Sequence, residues 1–401
     1  MLPRLRADLD FLPSPMPDRP GLLIRDPFRF SDATLIVPPQ MVQCLTFFDG
    51  EQSSLDLRAY LFRVTGDLDV SEIEQHLTQS LSEAGFLEDE NFALKKETTE
   101  QAFASAPVRL AQHAGSGYPD EPGELRNVFR EYLNGAGTVD SGKPALAIAA
   151  PHVSPFGGVE SYRAAYSALK SSDTDRTFVI LGTSHYGEPE RFGLTRKPFE
   201  TPLGSTIPAL DLIDELESAA GDAIRMEDYC HAVEHSIEFQ VVFLQSVLGP
   251  NVRILPILCG AFLKSLYEGG APEDMERVRQ MLGSLGEIGA REGSRLCWIL
   301  GVDMAHMGRR YGDQFDALAG RGEMADVADA DKSRIACMES GDAAGFWDQV
   351  QQKHDPLKWC GSAPIYTFLR AMPAARGNLS NYQQWNIDEG SVVSFAGMHF
   401  Y

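Results

Sequence analysis

The residues of this chain best suited to chemistry are histidines, and three of its nine fall at one kind of place. The run ALAIAA (145–150) leads into Pro151-His152, and TFVILG (177–182) leads into Thr183-Ser184-His185. LCWILGVD (296–303) ends on Asp303, with His306 three residues further on. Each run is short and apolar, the pattern of a buried strand. In an open α/β sheet, ligands bind outside the carboxyl ends of the strands. Imidazoles that follow three separate strands are therefore expected at one rim, where nitrogen donors suit a transition metal. Taken singly, each is a capping or loop histidine; taken together, they read as a site.

A second cluster spans residues 228–241 and contains His231-Ala-Val-Glu234-His235, the H-x-x-E-H spacing of inverted zinc peptidases. On a continuous helix, His231 and His235 would share a face one turn apart, with Glu234 as general base. The bland alternative is a helix start with Glu234 and Glu238 near the positive end of its dipole. Among the cysteines, Cys259 and Cys297 lie in apolar runs and read as inert core thiols, whereas Cys360, in KWCGSAP, has a polar, loop-like setting. Pro155-Phe-Gly-Gly158 is too short and wrongly spaced for a dinucleotide loop, and neither a Walker A pattern nor a G-x-S-x-G elbow occurs.

The elements that position these residues belong to an α/β fold with a mostly parallel central sheet flanked by helices. Further strand-like runs occur at 252–260 and 391–400, and helical patterns such as VESYRAAYSALK and IEFQVVFLQSVL separate the strands. This region covers residues 105–401. Residues 1–20 are proline-rich and read as an N-terminal arm. Residues 21–98 read as a small winged-helix-like domain: two extended segments, three helices over PQMVQCLTFFDG, SSLDLRAYLFRVTG and VSEIEQHLTQSLSEAGFL, then a hairpin at FLEDENFAL. KKETTEQAFASAPVR reads as a linker. The third helix carries Glu72, Glu74 and Glu83 and no basic stripe, which favours packing or protein and peptide docking over DNA binding.

Composition sets the outer limits. A length of 401 residues with 43% hydrophobic content suits two domains with real cores. There are 57 Asp+Glu against 35 Lys+Arg, a formal charge of -22, which opposes nucleic-acid backbone binding. No apolar run approaches the ~18–20 residues of a membrane span. The six scattered cysteines form no CxxC pair, and the N-terminus has no continuous apolar segment, so the expected location is cytoplasmic.

A set of ordered motifs then resembles a known family. HAGSGY (113–118), AAPHVSPFGG (149–158), ILGTSHYG (180–187), TPLG (201–204), EHSIEFQ (234–240), ILPILCGA (254–261), GVDMAHMGRRYG (301–312), CGSAPI (360–365) and SVVSFAG (391–397) are similar in order and spacing to the Memo family. Its bacterial members are called AmmeMemoRadiSam system protein B. The resemblance covers about residues 105–401, and the first hundred residues are similar to an extra segment that some bacterial members carry.

The Memo fold resembles the class III (LigB-type) extradiol dioxygenases, in which two histidines and a carboxylate hold Fe(II) and a further histidine is the acid/base. The resemblance implies His152, His185 and Cys360 as metal ligands, with Cys360 in place of the dioxygenase glutamate. It implies His306 as acid/base with Asp303 beside it, and His235 near the pocket, so that His306, Asp303 and His235 form the catalytic set. His113 matches a family histidine without a role, and Tyr186 departs from the His-His pair that members often show. A thiolate ligand favours copper, zinc or thiolate-tolerant iron. The expected function is metal-dependent, dioxygenase-like redox chemistry on a small molecule. The alternatives are a non-enzymatic adaptor with a vestigial cleft that works with a peptide or with AMMECR1-type and radical SAM partners, and a zinc peptidase using His231, Glu234 and His235.

Overall fold

The computed structural model describes residues 1–67, 69–135 and 144–401. They form two compact units, Met1–Ala106 and Pro107–Tyr401.

In the first unit, β1 (Asp10–Pro13), β2 (Leu22–Arg25) and β3 (Thr34–Val37) form an antiparallel sheet in that order. A 3-10 helix (Pro39–Phe47) follows, then α1 (Ser54–Thr65), α2 (Ser71–Glu83) and α3 (Glu90–Ser105). Helix α1 begins with a Ser53/Asp56 capping box and stops at Gly66, whose φ of 72° suits a residue without a Cβ. Two expectations are corrected here. The proline-rich start is more than an arm, because it supplies β1 and the buried Leu2 and Leu9. The winged-helix-like hairpin at FLEDENFAL does not form, because the Asp89 side chain accepts from the Phe92 N–H and caps α3, which runs on through the segment expected as linker.

Arg6 explains why the first residues are fixed. Its side chain and that of Asp26 are 2% and 0% exposed. The guanidinium donates to both carboxylate oxygens of Asp26 (3.0 and 3.1 Å) and to the Gly85 carbonyl (3.0 Å), and it lies 4.0 Å over the Phe92 ring. A buried charge is tolerated only when it is paired and hydrogen-bonded in this way.

The second unit runs α4 (Pro122–Leu133), β4 (Ala147–Ala150), α5 (Val159–Tyr166), β5 (Thr177–Thr183), β6 (Phe192–Leu194), β7 (Glu200–Thr201), β8 (Gly204–Ser205), β9 (Ile207–Pro208), α6 (Leu210–Ala220) and β10 (Ile224–Met226). It continues with α7 (Cys230–Val233), α8 (Glu238–Leu248), β11 (Arg253–Cys259), α9 (Leu263–Glu268), α10 (Glu276–Glu292), β12 (Leu296–Gly301) and β13 (His306–Gly308). The last elements are α11 (Glu323–Ser340), α12 (Ala343–Gln351), α13 (Ser362–Ala371), β14 (Gly377–Asp388) and β15 (Ser391–Phe400). The large sheet has the order β10-β6-β11-β5-β12-β4-β15-β13, with β14 on β15 and β9 on β11.

Its centre, β11-β5-β12-β4, is parallel. β15 pairs antiparallel with β4, β13 and β14, so the sheet as a whole is mixed. The connection from β14 to β15 is only Glu389-Gly390. So short a turn forms a hairpin, whereas a parallel pair needs a longer crossover.

Alternation along the central strands sorts side chains onto two covered faces. Phe178, Ile180, Cys297 and Ile299 pack with Tyr162 of α5 and Phe243 of α8. Val179, Leu181, Trp298 and Leu300 pack with Ile213 of α6, Leu285 of α10 and Phe368 of α13. With both faces apolar, polar chemistry is left to the strand ends. Cys259 and Cys297 sit inside these layers, where burial pushes both thiols up to about 12. Among the described residues, no helix is long and apolar enough to cross a membrane.

The first unit offers a direct check. Asp26→Ala leaves the buried Arg6 cation with only the exposed Asp8 carboxylate opposite it and should destabilise Met1–Ala106 by about 3 kcal/mol. Hydrogen exchange across residues 1–106 of the full chain should show that loss, with exchange in the central strands of the second unit unchanged.

Candidate metal centre

β5, β12 and β4 are neighbours and end at the same rim. His185, Asp303 and His152 each lie two residues beyond the end of one of them. His306 opens β13, His235 lies in the turn between α7 and α8, and Cys360 lies just before α13. Ring nitrogens of His152, His185 and His235 all lie within 4.8 Å of one another. The Cys360 Sγ is 3.3 Å from His152 Nε2. The six residues singled out in the sequence line one cleft of about 740 Å³, together with Tyr311 and Trp385. His235, expected near the pocket, forms with His152 and His185 a group that could hold a metal ion.

Hydrogen bonds fix which nitrogen each ring presents. His152 Nδ1 lies 2.9 Å from the Gly301 carbonyl, and an oxygen that only accepts requires the proton there, so Nε2 keeps its lone pair. His185 Nδ1 donates to Glu234 Oε2 at 3.0 Å, and the same carboxylate accepts the His185 backbone N–H. Glu234 Oε2 is also 3.8 Å from His235 Nδ1. His306 Nδ1 lies 2.9 Å from the Met304 carbonyl and 3.1 Å from that of Lys358. Such outer partners orient metal-binding imidazoles and raise their basicity.

The electrostatics favour the neutral, metal-binding form for two of the three rings and oppose it for the third. Burial, reinforced by neighbouring imidazoles, holds His152 and His235 well below the usual histidine value, in the neutral form a metal requires. Burial would lower His185 too, but Glu234 and the Cys360 sulfur outweigh it and hold this ring well above that value. Burial raises Asp303 to about 6, although its Oδ1 accepts the backbone N–H groups of His152 (2.9 Å) and Val153 (3.3 Å). Burial lowers His306, and Asp303 partly offsets that. These opposite shifts bring the carboxyl and the imidazole closer in proton affinity.

Two bare glycines let the His235 segment settle onto the strand ends. The Ser236 hydroxyl donates to the Thr183 carbonyl at 2.8 Å. A Cβ on Gly182 would lie 2.6 Å from Ser236 Oγ, and one on Gly301 would lie 2.3 Å from the Ser236 carbonyl oxygen.

The H-x-x-E-H reading is corrected. Helix α7 stops at Val233, and Glu234 is extended (ψ 141°), so His231 and His235 do not share a helical face. His231 is buried with Nε2 3.0 Å from the Gly193 carbonyl, and it is absent from the histidine group. The peptidase constellation is not assembled. Glu234, singled out only as a base, instead serves His185.

Asp331 was not found from the sequence. It is 0% exposed and accepts from Trp359 Nε1 (2.7 Å), the Tyr382 hydroxyl (2.7 Å) and the Ser394 hydroxyl (2.6 Å), anchoring the residue next to Cys360. In ADADKSR it carries no signal that separates it from a solvated helix face.

Comparison with known proteins agrees with the motifs. A model of the Memo-like protein family matches residues 109–399. A MEMO1 family protein of Aquifex aeolicus is 27% identical over 384 residues, covering 94% of this chain and 96% of its own. One from Thermus thermophilus is 27% identical over 240 residues, 60% of this chain and 67% of its own. Another, from Thermococcus kodakarensis, is 30% identical over 309 residues, 73% and 99% of the two chains.

The close approach at Gly301 is testable. Gly301→Ala should cost about 1–3 kcal/mol by overpacking against backbone. Gly283→Ala, in a helix with open space around the added methyl, should be neutral or slightly stabilising. Urea denaturation of both variants checks the contrast.

Proposed function

The chain belongs to the Memo-like family, and from that premise we propose that its cleft is a transition-metal centre for redox chemistry on a small molecule. One observation carries the proposal: three imidazoles from separate segments converge within 4.8 Å, with a thiol 3.3 Å from one of them. His152, His185 and His235 would hold the ion, with Cys360 as the sulfur donor. Nitrogen and sulfur donors suit copper, zinc or iron and disfavour magnesium and calcium. A bound ion would supply Lewis acidity and, for copper or iron, electron transfer.

The chain's own residues supply the rest. Glu234 fixes the His185 ring through Nδ1, and Nε2 becomes a donor once an incoming cation displaces the second proton that Glu234 and Cys360 favour on this ring. His306 and Asp303 take up and release protons beside the cluster, as their converging affinities allow. Tyr311 packs edge-on against the His306 ring, with centroids 4.9 Å apart, and limits its rotation. The LigB-type resemblance names extradiol cleavage as the reaction class to test first. Replacement of a ligand carboxylate by the softer Cys360 shifts the metal preference away from that of an oxygen-rich iron site.

Metal analysis of protein purified without chelators tests this reading. The wild type should retain a stoichiometric transition metal. His152→Ala and His235→Ala should lose it, and Cys360→Ser should bind it more weakly. Equal metal content in all of them would overturn the ligand set. A folded, metal-free wild type would favour the non-enzymatic adaptor role. Oxygen uptake with a panel of catechols then examines the reaction class separately from the metal.

A further inference from the structure

A buried ion pair lies on the protein side of the His235 turn, and neither the metal ligation nor the proton chemistry proposed above uses it. The side chains of Arg109 and Glu238 are 1% and 0% exposed. An apolar pair of similar volume is often at least as stable as such a salt bridge, so its retention calls for a geometric reason.

The geometry supplies one. The Arg109 guanidinium is a three-way fork. Nη1 donates to the Glu238 carboxylate, Nε donates to the His231 carbonyl at 2.7 Å, and Nη2 donates to the Glu234 carbonyl at 2.8 Å. Glu238 in turn accepts the backbone N–H groups of Gln112 (3.0 Å) and His113 (2.9 Å) and the Tyr118 hydroxyl. Arg109 thus holds one carbonyl inside α7 and one at the residue that ends it, and Glu238 is the first residue of α8. Between these anchors stand Glu234, which orients His185, and His235. The same network seats His113, whose ring meets that of His235 edge-on at 5.8 Å.

We infer that Arg109 and Glu238 are a positioning pair for the metal centre: the fork on the carbonyls of His231 and Glu234 sets where the Glu234 carboxylate and the His235 imidazole come to rest. This rests on the ligand reading given above. A pair that only holds the fold would change stability when altered; a positioning pair also changes the affinity and ligand field of the bound ion.

Cobalt(II) added to the metal-stripped full chain is the probe. Arg109→Lys keeps a cation opposite Glu238 but lacks the planar fork that spans two carbonyls. It should retain the wild-type circular dichroism while Co(II) affinity falls about tenfold or more, the usual scale for outer partners of metal ligands. The visible Co(II) bands should shift as well. Arg109→Met combined with Glu238→Gln removes both charges and should give the same loss. A folded variant of either kind with wild-type affinity and spectrum overturns the inference. So does failure of both to fold, because the pair is then required for the fold itself. If the wild type takes up no Co(II), the ligand reading falls and the positioning role falls with it. If the wild type binds Co(II), His152→Ala does not, and Arg109→Lys matches the wild type, only the positioning role is overturned.

Discussion

Three imidazoles gathered in one buried cleft repel one another once protonated, and much of the surrounding structure answers that constraint. Each ring with a fixed orientation gives its Nδ1 proton to a protein acceptor: Gly301 for His152, Glu234 for His185, and Met304 with Lys358 for His306. These acceptors lie at a strand end, at the end of a short helix, and on the loops around β13 and α13. The sheet therefore delivers the acceptors as well as the histidines. A cluster with scrambled tautomers would lose its common lone-pair direction, and one with protonated rings would lose its metal affinity.

The apolar faces of the sheet are the second half of the same argument. Both sides of β5 and β12 are filled by side chains such as Trp298, Ile299, Val179 and Ile180, so a polar group has no place along the strands. It is displaced to where the strands stop. His152, His185 and Asp303 were legible from sequence for this reason: the information lies in a local apolar run followed by a polar residue, and the parallel arrangement of β5, β12 and β4 follows from the helical crossovers between them. β15 was misplaced among the parallel strands because its direction depends on a two-residue turn rather than on its own composition.

Other residues were less legible because their roles depend on long-range packing. Cys360 reached the site through family resemblance, since it follows no strand, whereas His306 was already expected at the rim beyond Asp303. His235 joined His152 and His185 rather than His231 only once α7 was seen to end at Val233, which places Glu234 beside His185 and turns the H-x-x-E-H spacing into a coincidence. Asp331 acts through Trp359 and Tyr382 from distant parts of the chain, and no spacing rule connects them. In the first unit, FLEDENFAL supports either a hairpin or a capped helix by pattern alone. The Asp89 cap is what selects the helix.

The thiol gives the centre its particular character. Burial keeps Cys360 protonated more strongly than a free cysteine, while His185 pulls the other way. Its sulfur also lies 3.8 Å from the Asp303 carbonyl, an acceptor for the S–H proton in the absence of a metal. A metal cation would displace that proton and convert the group into a thiolate ligand. Proton release and metal capture would then be one event in this cleft. The sulfur would in that case tie metal binding to proton release as well as supply a softer donor.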